Sequence, residues 1–252
     1  MPSDPTTVDP DRQTAPAKLT LSLRVTGTRD DGFHLLDAEM VTVDLVDELA
    51  FSEGDGLELL PGLPAGPLDD TNLVRRALRA AGRSAHVRLR KRIPPGAGLG
   101  GGSADAAAVL RWAGVVDAAV ASSLGADVPF CLVGGRARVS GIGNIVEPLP
   151  FDDRAFTLLM PPLEVSTPAV YRAWDELGGP PAGGGNDLEP AALVVEPGLA
   201  RWRERLGDLT GQTPRLAGSG ATWFVEGAHR GPELICVRTS RPNDPNVSGR
   251  VS

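Results

Sequence analysis

"KRIPPGAGLGGGSADAAAVLRW", residues 91–112, sets five glycines between Gly96 and Gly102 directly in front of an alanine-rich run. Alanine is the strongest helix former, so the run predicts a helix from about Ser103 to Ala113. Glycine has no Cβ, so backbone N–H groups in the loop can approach a ligand closely. A helix start adds unpaired N–H groups and the positive end of the dipole. Loop and helix together predict an anion site, with the Ser103 hydroxyl available to a phosphate or a metal. Two named phosphate loops fit less well. A Walker A loop has G-x-x-x-x-G-K-[ST], and Gly102 stands where its lysine belongs. The dinucleotide pattern G-x-G-x-x-G is met by Gly96, Gly98 and Gly101, but any glycine-dense run produces it. "KRIPP" also separates this loop from the preceding strand, and no second βαβ unit follows.

On either side the chain mixes strands and helices without a regular βαβ beat, which predicts an α+β fold. "PAKLTLSLRV" (16–25) alternates, with Ala17, Leu19, Leu21, Leu23 and Val25 on one face and Lys18, Thr20, Ser22 and Arg24 on the other. Strands are also predicted at 38–51, 85–94, 155–162 and 233–241, with a strand, glycine turn and strand at 213–227. Residues 122–143 read as a loop, a short helix and a strand. Helices are predicted at 71–82, with Thr71 or Asp70 as cap and Gly82 as stop, and at 166–178. One or two more lie in 186–209, broken near Pro197. "PPAGGG" (180–185) reads as a flexible linker.

Composition narrows the function. The 252 residues are enough for one large domain or two small ones. A net charge of -7 gives no case for nucleic acid or an anionic membrane as partner. Two cysteines, Cys131 and Cys236, have no metal spacing and fit a reducing compartment. No apolar run is long enough to span a bilayer, and "MPSDPTTVDPDRQT" reads as a disordered tail rather than a signal peptide. The expected location is cytoplasmic. The chain holds 23 arginines and only two lysines, Lys18 and Lys91. A lysine kept in such a chain raises the question of whether its compact ammonium is needed.

"PPGAGLGGGSADAA" resembles the central phosphate motif of the GHMP kinases. "APAKLTL" (15–21) resembles their N-terminal motif and "LAGSGATWF" (216–224) their C-terminal glycine motif, in the same order. Within the family the chain is most similar to the branch acting on a cytidylylated methylerythritol. "DGFH", "LGADVPF", "VSTPAVYRAWDEL" and "NDLEP" carry that likeness, which covers roughly 15–226. The resemblance implies a two-domain α+β GHMP kinase fold with the active site in the inter-domain cleft. The expected division is a tail at 1–14, an N-terminal domain at 15–152, a C-terminal domain at 153–241 and a polar tail at 242–252.

The implied reaction moves the γ-phosphate of ATP, with Mg²⁺, to the 2-hydroxyl of the small-molecule substrate. Asp127 matches the family's catalytic aspartate and Lys18 its motif lysine. Their ordinary readings are a helix cap and a solvated strand lysine. ATP is assigned to Pro94, Pro95, Gly96, Ala97, Gly98, Leu99, Gly100, Gly101, Gly102, Ser103 and Ala104. Substrate is assigned to Thr20, Phe33, His34, Tyr171, Gly218, Ser219 and Gly220. Phe33 and Tyr171 are expected to sandwich the cytosine while His34 hydrogen-bonds it. No residue is assigned to the metal, and the expected state is a monomer or homodimer. Thr20 stands where the family usually has asparagine, and Phe33 where it has tyrosine. Between the loop helix and "LGADVPF" the family usually has about ten more residues, a length that matters to a helix pair. The alternatives are another GHMP kinase, of homoserine or mevalonate type, and a nucleotide-binding homologue without transfer activity.

Overall fold

The structure is a computed structural model and describes residues 9–241. Among these are ten strands in two sheets and seven helices. The first sheet is built on a long antiparallel hairpin, β1 (Arg12–Thr28) with β2 (His34–Ser52). Along the other edge of β2 lie β4 (His86–Arg90) and β5 (Arg136–Gly141). Two short strands complete it: β3 (Gly56–Leu59), parallel to β4, and β6 (Ile145–Pro148), antiparallel to β5. The second sheet has the order β10 (Leu234–Arg238), β7 (Ala155–Leu159), β9 (Trp223–Glu226), β8 (Arg215–Leu216). β1 begins at Arg12, inside the segment expected as tail; residues 1–8 and the expected tail at 242–252 lie outside the described residues.

β1 does not keep one apolar face. Register shifts fall between Pro16 and Lys18, Thr20 and Ser22, and Val25 and Gly27. A bulge adds one residue to one strand, so the side-chain alternation changes face there. Ala17, Leu19 and Leu21 therefore pack on Phe156, Leu158 and Phe224 of the second sheet. Ala15 and Leu23 join the other core, with the helices. The predicted grouping of Leu23 with Leu21 is corrected accordingly. Lys18 and Thr20 are not on a solvated face; both are buried.

Seven helices surround the sheets: α1 (Leu73–Ala80), α2 (Gly101–Trp112), α3 (Ala118–Leu124), α4 (Val128–Val133), α5 (Thr167–Glu176), α6 (Glu189–Val195) and α7 (Leu199–Thr210). α2 is buried all round from Ala104 to Leu110, which its small alanines permit. It starts at Gly101, two residues before the predicted start. The cap of α1 is Asn72, whose side chain accepts from Val74 N, in place of Thr71 or Asp70. The predicted linker at 180–185 is pinned to β1: Leu23 N donates to Gly185 O and Asp187 N to Leu23 O.

Candidate active site

The bulges of β1 turn Lys18 toward the glycine loop and the start of α4. Its Nζ donates to Thr20 Oγ1 at 3.1 Å and lies 3.4 Å from Asp127 Oδ2. Asp127 precedes α4, but among the described residues its side chain makes no capping hydrogen bond. Its carboxylate is a third exposed, so part of it is open to solvent while Oδ2 meets the ammonium. Cys131 lies one turn on. Burial, then the Asp127 charge, pushes its thiol up to about 12, which leaves it inert as a nucleophile.

The glycine loop is fastened on both flanks. Lys18 N donates to Leu99 O, Ala221 N to Gly96 O and Thr222 N to Ala97 O. Gly96, Gly98 and Gly100 have φ of 67°, 76° and 68°, a region that disfavours side chains. Close approach matters as much: a Cβ on Gly98 would lie 2.3 Å from Ala217 O, and one on Gly100 2.8 Å from Lys18 Cγ. Ala97 and Leu99 turn their side chains into the core between the sheets, and Ala104 into the helical core, so these three can offer a ligand only backbone. The N-cap of α2 is Gly100, with no side-chain cap among the described residues. The N–H groups at the start of α2 are thus left for an anion, with Ser103 in the first turn.

Beside the loop lies a cavity of about 270 Å³, lined among others by Thr71, Asn72, Lys91, Pro95, Gly101 and Asp105. Its floor is an ion cluster that sequence reasoning missed. Lys91 Nζ donates to Asp47 and, at 2.6 Å, to Asp105 Oδ2; all three residues are buried. Asp47 also accepts from the backbone of Arg92 and Ile93, while Asp105 Oδ1 has no partner among the described residues. Burial, opposed by Lys91 and assisted by the Asp47 charge, pushes Asp105 up to about 8. Lys91 is raised by its two carboxylates against the cost of burial. The available signal was an aspartate in an otherwise apolar helix and one of two lysines. A larger cleft of about 380 Å³, lined by Gly134, Arg136, Phe151 and Arg241 among others, holds none of the expected site residues. The smaller cavity is therefore the better candidate.

At the far end, His34 opens β2 and its imidazole lies on Tyr171 of α5, centroids 4.7 Å apart and planes 27° apart. Phe33 does not take that place; it is 56% exposed. The ring that lies on Tyr171 is that of His34. Burial, then the Asp127 charge, raises the Tyr171 phenol above its usual range, which puts this helix near the Lys18–Asp127 pair. Gly218 is also close, since a Cβ there would lie 3.3 Å from Lys18 Nζ. Ser219 Oγ shares a 2.7 Å hydrogen bond with Thr167 Oγ1, and Gly220 N donates to Ala217 O within the turn. Asn186, also missed, anchors this turn by donating to Leu216 O and Gly218 O. Its neighbour Asp187 accepts from Arg24, Val25 N and Ala182 N.

Residues 72–135 match the family model described as GHMP kinases N terminal domain. A protein of Paracoccus denitrificans (strain Pd 1222) named 4-diphosphocytidyl-2-C-methyl-D-erythritol kinase is 42% identical over 239 residues, covering 84% of this chain and 85% of its own. The chain belongs to this family of GHMP kinases. A Paramagnetospirillum magneticum protein of the same name is 40% identical over 250 residues, covering 83% and 86%. A crystal structure of 4-(cytidine 5'-diphospho)-2C-methyl-D-erythritol kinase superposes with a TM-score of 0.71 at 33% identity, over 91% of this chain and 99% of that one. A mevalonate kinase structure, at 12% identity and a TM-score of 0.56, shares the GHMP fold alone. The chain is a kinase with the α+β architecture of its family, and among the described residues no helix is long and apolar enough to cross a membrane.

Proposed function

We propose that the chain transfers the γ-phosphoryl group of ATP to the 2-hydroxyl of 4-diphosphocytidyl-2-C-methyl-D-erythritol. The observation that carries this reading is the Lys18–Asp127 pair, 3.4 Å apart beside an uncapped helix start and a glycine loop. The phosphates lie along residues 94–104, held by backbone N–H groups and Ser103, with the nucleoside in the 270 Å³ cavity. Asp127 accepts the proton as the substrate hydroxyl attacks phosphorus; the bond to the β-phosphate oxygen breaks and ADP leaves. Lys18 orients Asp127 and the hydroxyl and offsets charge on the group in transfer. Thr20, in the usual asparagine position, holds Lys18 through its hydroxyl. Gly218, Ser219 and Gly220 close over phosphates, and His34, Tyr171 and Phe33 receive the cytosine.

The reaction implies Mg²⁺. Among the described residues no three His, Cys, Asp or Glu side chains converge on one point. That fits a metal that arrives on ATP, since Mg²⁺ takes few protein oxygens and keeps several waters. Ser103 would hold it, and a bound Mg²⁺ would supply positive charge against the phosphoryl group in transfer. The protein acts on small molecules in the cytoplasm, as a monomer or homodimer, through halves at 15–152 and 153–241.

The test is ADP release with MgATP and, in parallel, the cytidylylated substrate, homoserine and mevalonate. Release only with the first is expected; none above background with it overturns the reading. Asp127→Asn is expected to lose turnover by 10²-fold or more, in the range on the order of 10²–10⁴ for such a group, while ATP still binds. Unchanged turnover removes Asp127 from its role.

A further inference from the structure

Three buried side chains from separate parts of the chain meet below the first turn of α2. Lys91, just past the end of β4, donates through Nζ to Asp47 of β2 and to Asp105 of α2. The segment that follows is held by the same carboxylate, since Asp47 accepts from Arg92 N and Ile93 N. α2 rests directly on this segment. A Cβ on Gly101, its first residue, would lie 3.2 Å from Lys91 Nζ and 3.0 Å from Ile93 Cγ2. Asp105 follows Gly101 at i+4, the spacing that puts both on one side of the helix. Asp47 and Lys18 belong to one hairpin: in the β1–β2 register Asp47 stands opposite Ala15, and Lys18 opposite Thr42.

Such a cluster is a poor way to gain stability, because taking charges out of water costs as much as their attraction returns. Here one cation and two carboxylates are buried, and Asp105 Oδ1 has no partner among the described residues. The gain is geometric. Directed bonds from one ammonium to two strands of the chain fix the height of α2, which the methyls of its alanines do not. The phosphate loop is thus braced twice. At Leu99 and Gly100 it meets Lys18, whose N–H donates to Leu99 O and whose Cγ lies 2.8 Å from a Cβ built on Gly100. At Gly101 and Asp105 it meets Lys91. Both braces stand on the β1–β2 hairpin. We propose that Lys91, through Asp47 and Asp105, is a positioning residue that holds the phosphate-binding first turn of α2 in register with the Lys18–Asp127 pair. The inference rests on the reading of that turn as the seat of the ATP phosphates. It gives the second lysine of the chain a part in the transfer, exerted through the helix and not on the nucleotide.

The test cuts the brace on its α2 side. Asp105→Leu removes the acceptor and leaves Lys91 balanced by Asp47, whereas Asp105→Asn keeps an acceptor for Lys91. Calorimetry on the full chain reads MgATP affinity, and steady-state kinetics give kcat and the KM of each substrate. Asp105→Leu is expected to weaken MgATP about tenfold, the scale of one hydrogen bond to a charged group. Its kcat is expected to fall as well, while the KM of the cytidylylated substrate stays unchanged. Asp105→Asn is expected to regain most of both losses. Lys91→Met combined with Asp105→Asn cuts the same brace and leaves Asp47 its two backbone donors; it is expected to behave as Asp105→Leu does. A lowered melting temperature with MgATP affinity and kcat unchanged overturns the proposal, since the cluster then serves the fold alone. An equal rise in both KM values, an Asp105→Asn variant as weak as Asp105→Leu, or failure of both cut variants to fold overturns it too. In each of these cases wild-type binding of MgATP leaves the phosphate reading standing; a wild type that binds no MgATP overturns both.

Discussion

The space around Lys18 fits a compact ammonium better than a guanidinium. Gly100 leaves 2.8 Å between a built Cβ and Lys18 Cγ, and Gly218 leaves 3.3 Å to Nζ. A planar guanidinium with five fixed donors does not fit a space shaped by two glycine loops. Lys18→Arg is therefore expected to lose turnover by about 10²-fold or more, as removal of one transition-state donor does; steady-state kinetics check this, and near-normal kcat would count against it. Asp105 gives a second test. Its folded-state pKa, about 8, is above its ordinary value of 3.8, so the native chain holds a proton that the unfolded chain has released. The associated stability is fully present below pH 4 and is lost as pH rises toward 8. Asp105→Asn keeps the shape of the neutral acid. Its melting temperature is expected to fall less between pH 5 and 8 than that of the wild type; parallel profiles would refute the assignment.

At the scale of elements, the glycine loop is the piece that both sheets grip. Gly98→Ala would set a methyl against Ala217 O at a φ of 76°. Strain and overpacking together are expected to cost about 1–3 kcal/mol, read as a lower urea midpoint, with weaker ATP binding by calorimetry. An unchanged midpoint would mean that the loop is not clamped. The main elements were legible because their signals are local: alternation in β1, alanine in α2, Ser166 and Pro168 at the start of α5. The misses have physical causes. The bulges of β1 leave no mark in a strand whose alternate residues are apolar throughout, because each face meets an apolar core. β3 and β6 have four residues each and show little burial, so neither carries a period. A single short helix was expected before β5 where α3 and α4 stand, divided at Gly125.

For the whole molecule, the two sheets share a core. Leu19, Leu21, Val41 and Val43 of the first half are buried against Phe156, Leu158 and Phe224 of the second. Neither half can leave the other without wetting that surface. Urea unfolding is expected to be one cooperative transition, with tryptophan fluorescence and circular dichroism coincident; two resolved transitions would show independent halves. The same long-range assembly explains which site residues could be read. Lys18 and Asp127 sit in recognisable local motifs. Asp47, Lys91 and Asp105 come from three separate elements and meet only in the fold, as Asn186 meets the turn at 216–218.

Both lysines of the sequence are buried, one in each ion cluster. Every cationic side chain on the outside is thus arginine or histidine, and the folded surface offers no ε-amine. Acylating reagents, amine cross-linkers and lysine acetyltransferases have no side chain to attack until the structure opens. The first acylated lysine, located by mass spectrometry, is expected to report an opening event, at a rate that ATP slows; rapid acylation of the native protein would show that one of the two clusters is open to solvent.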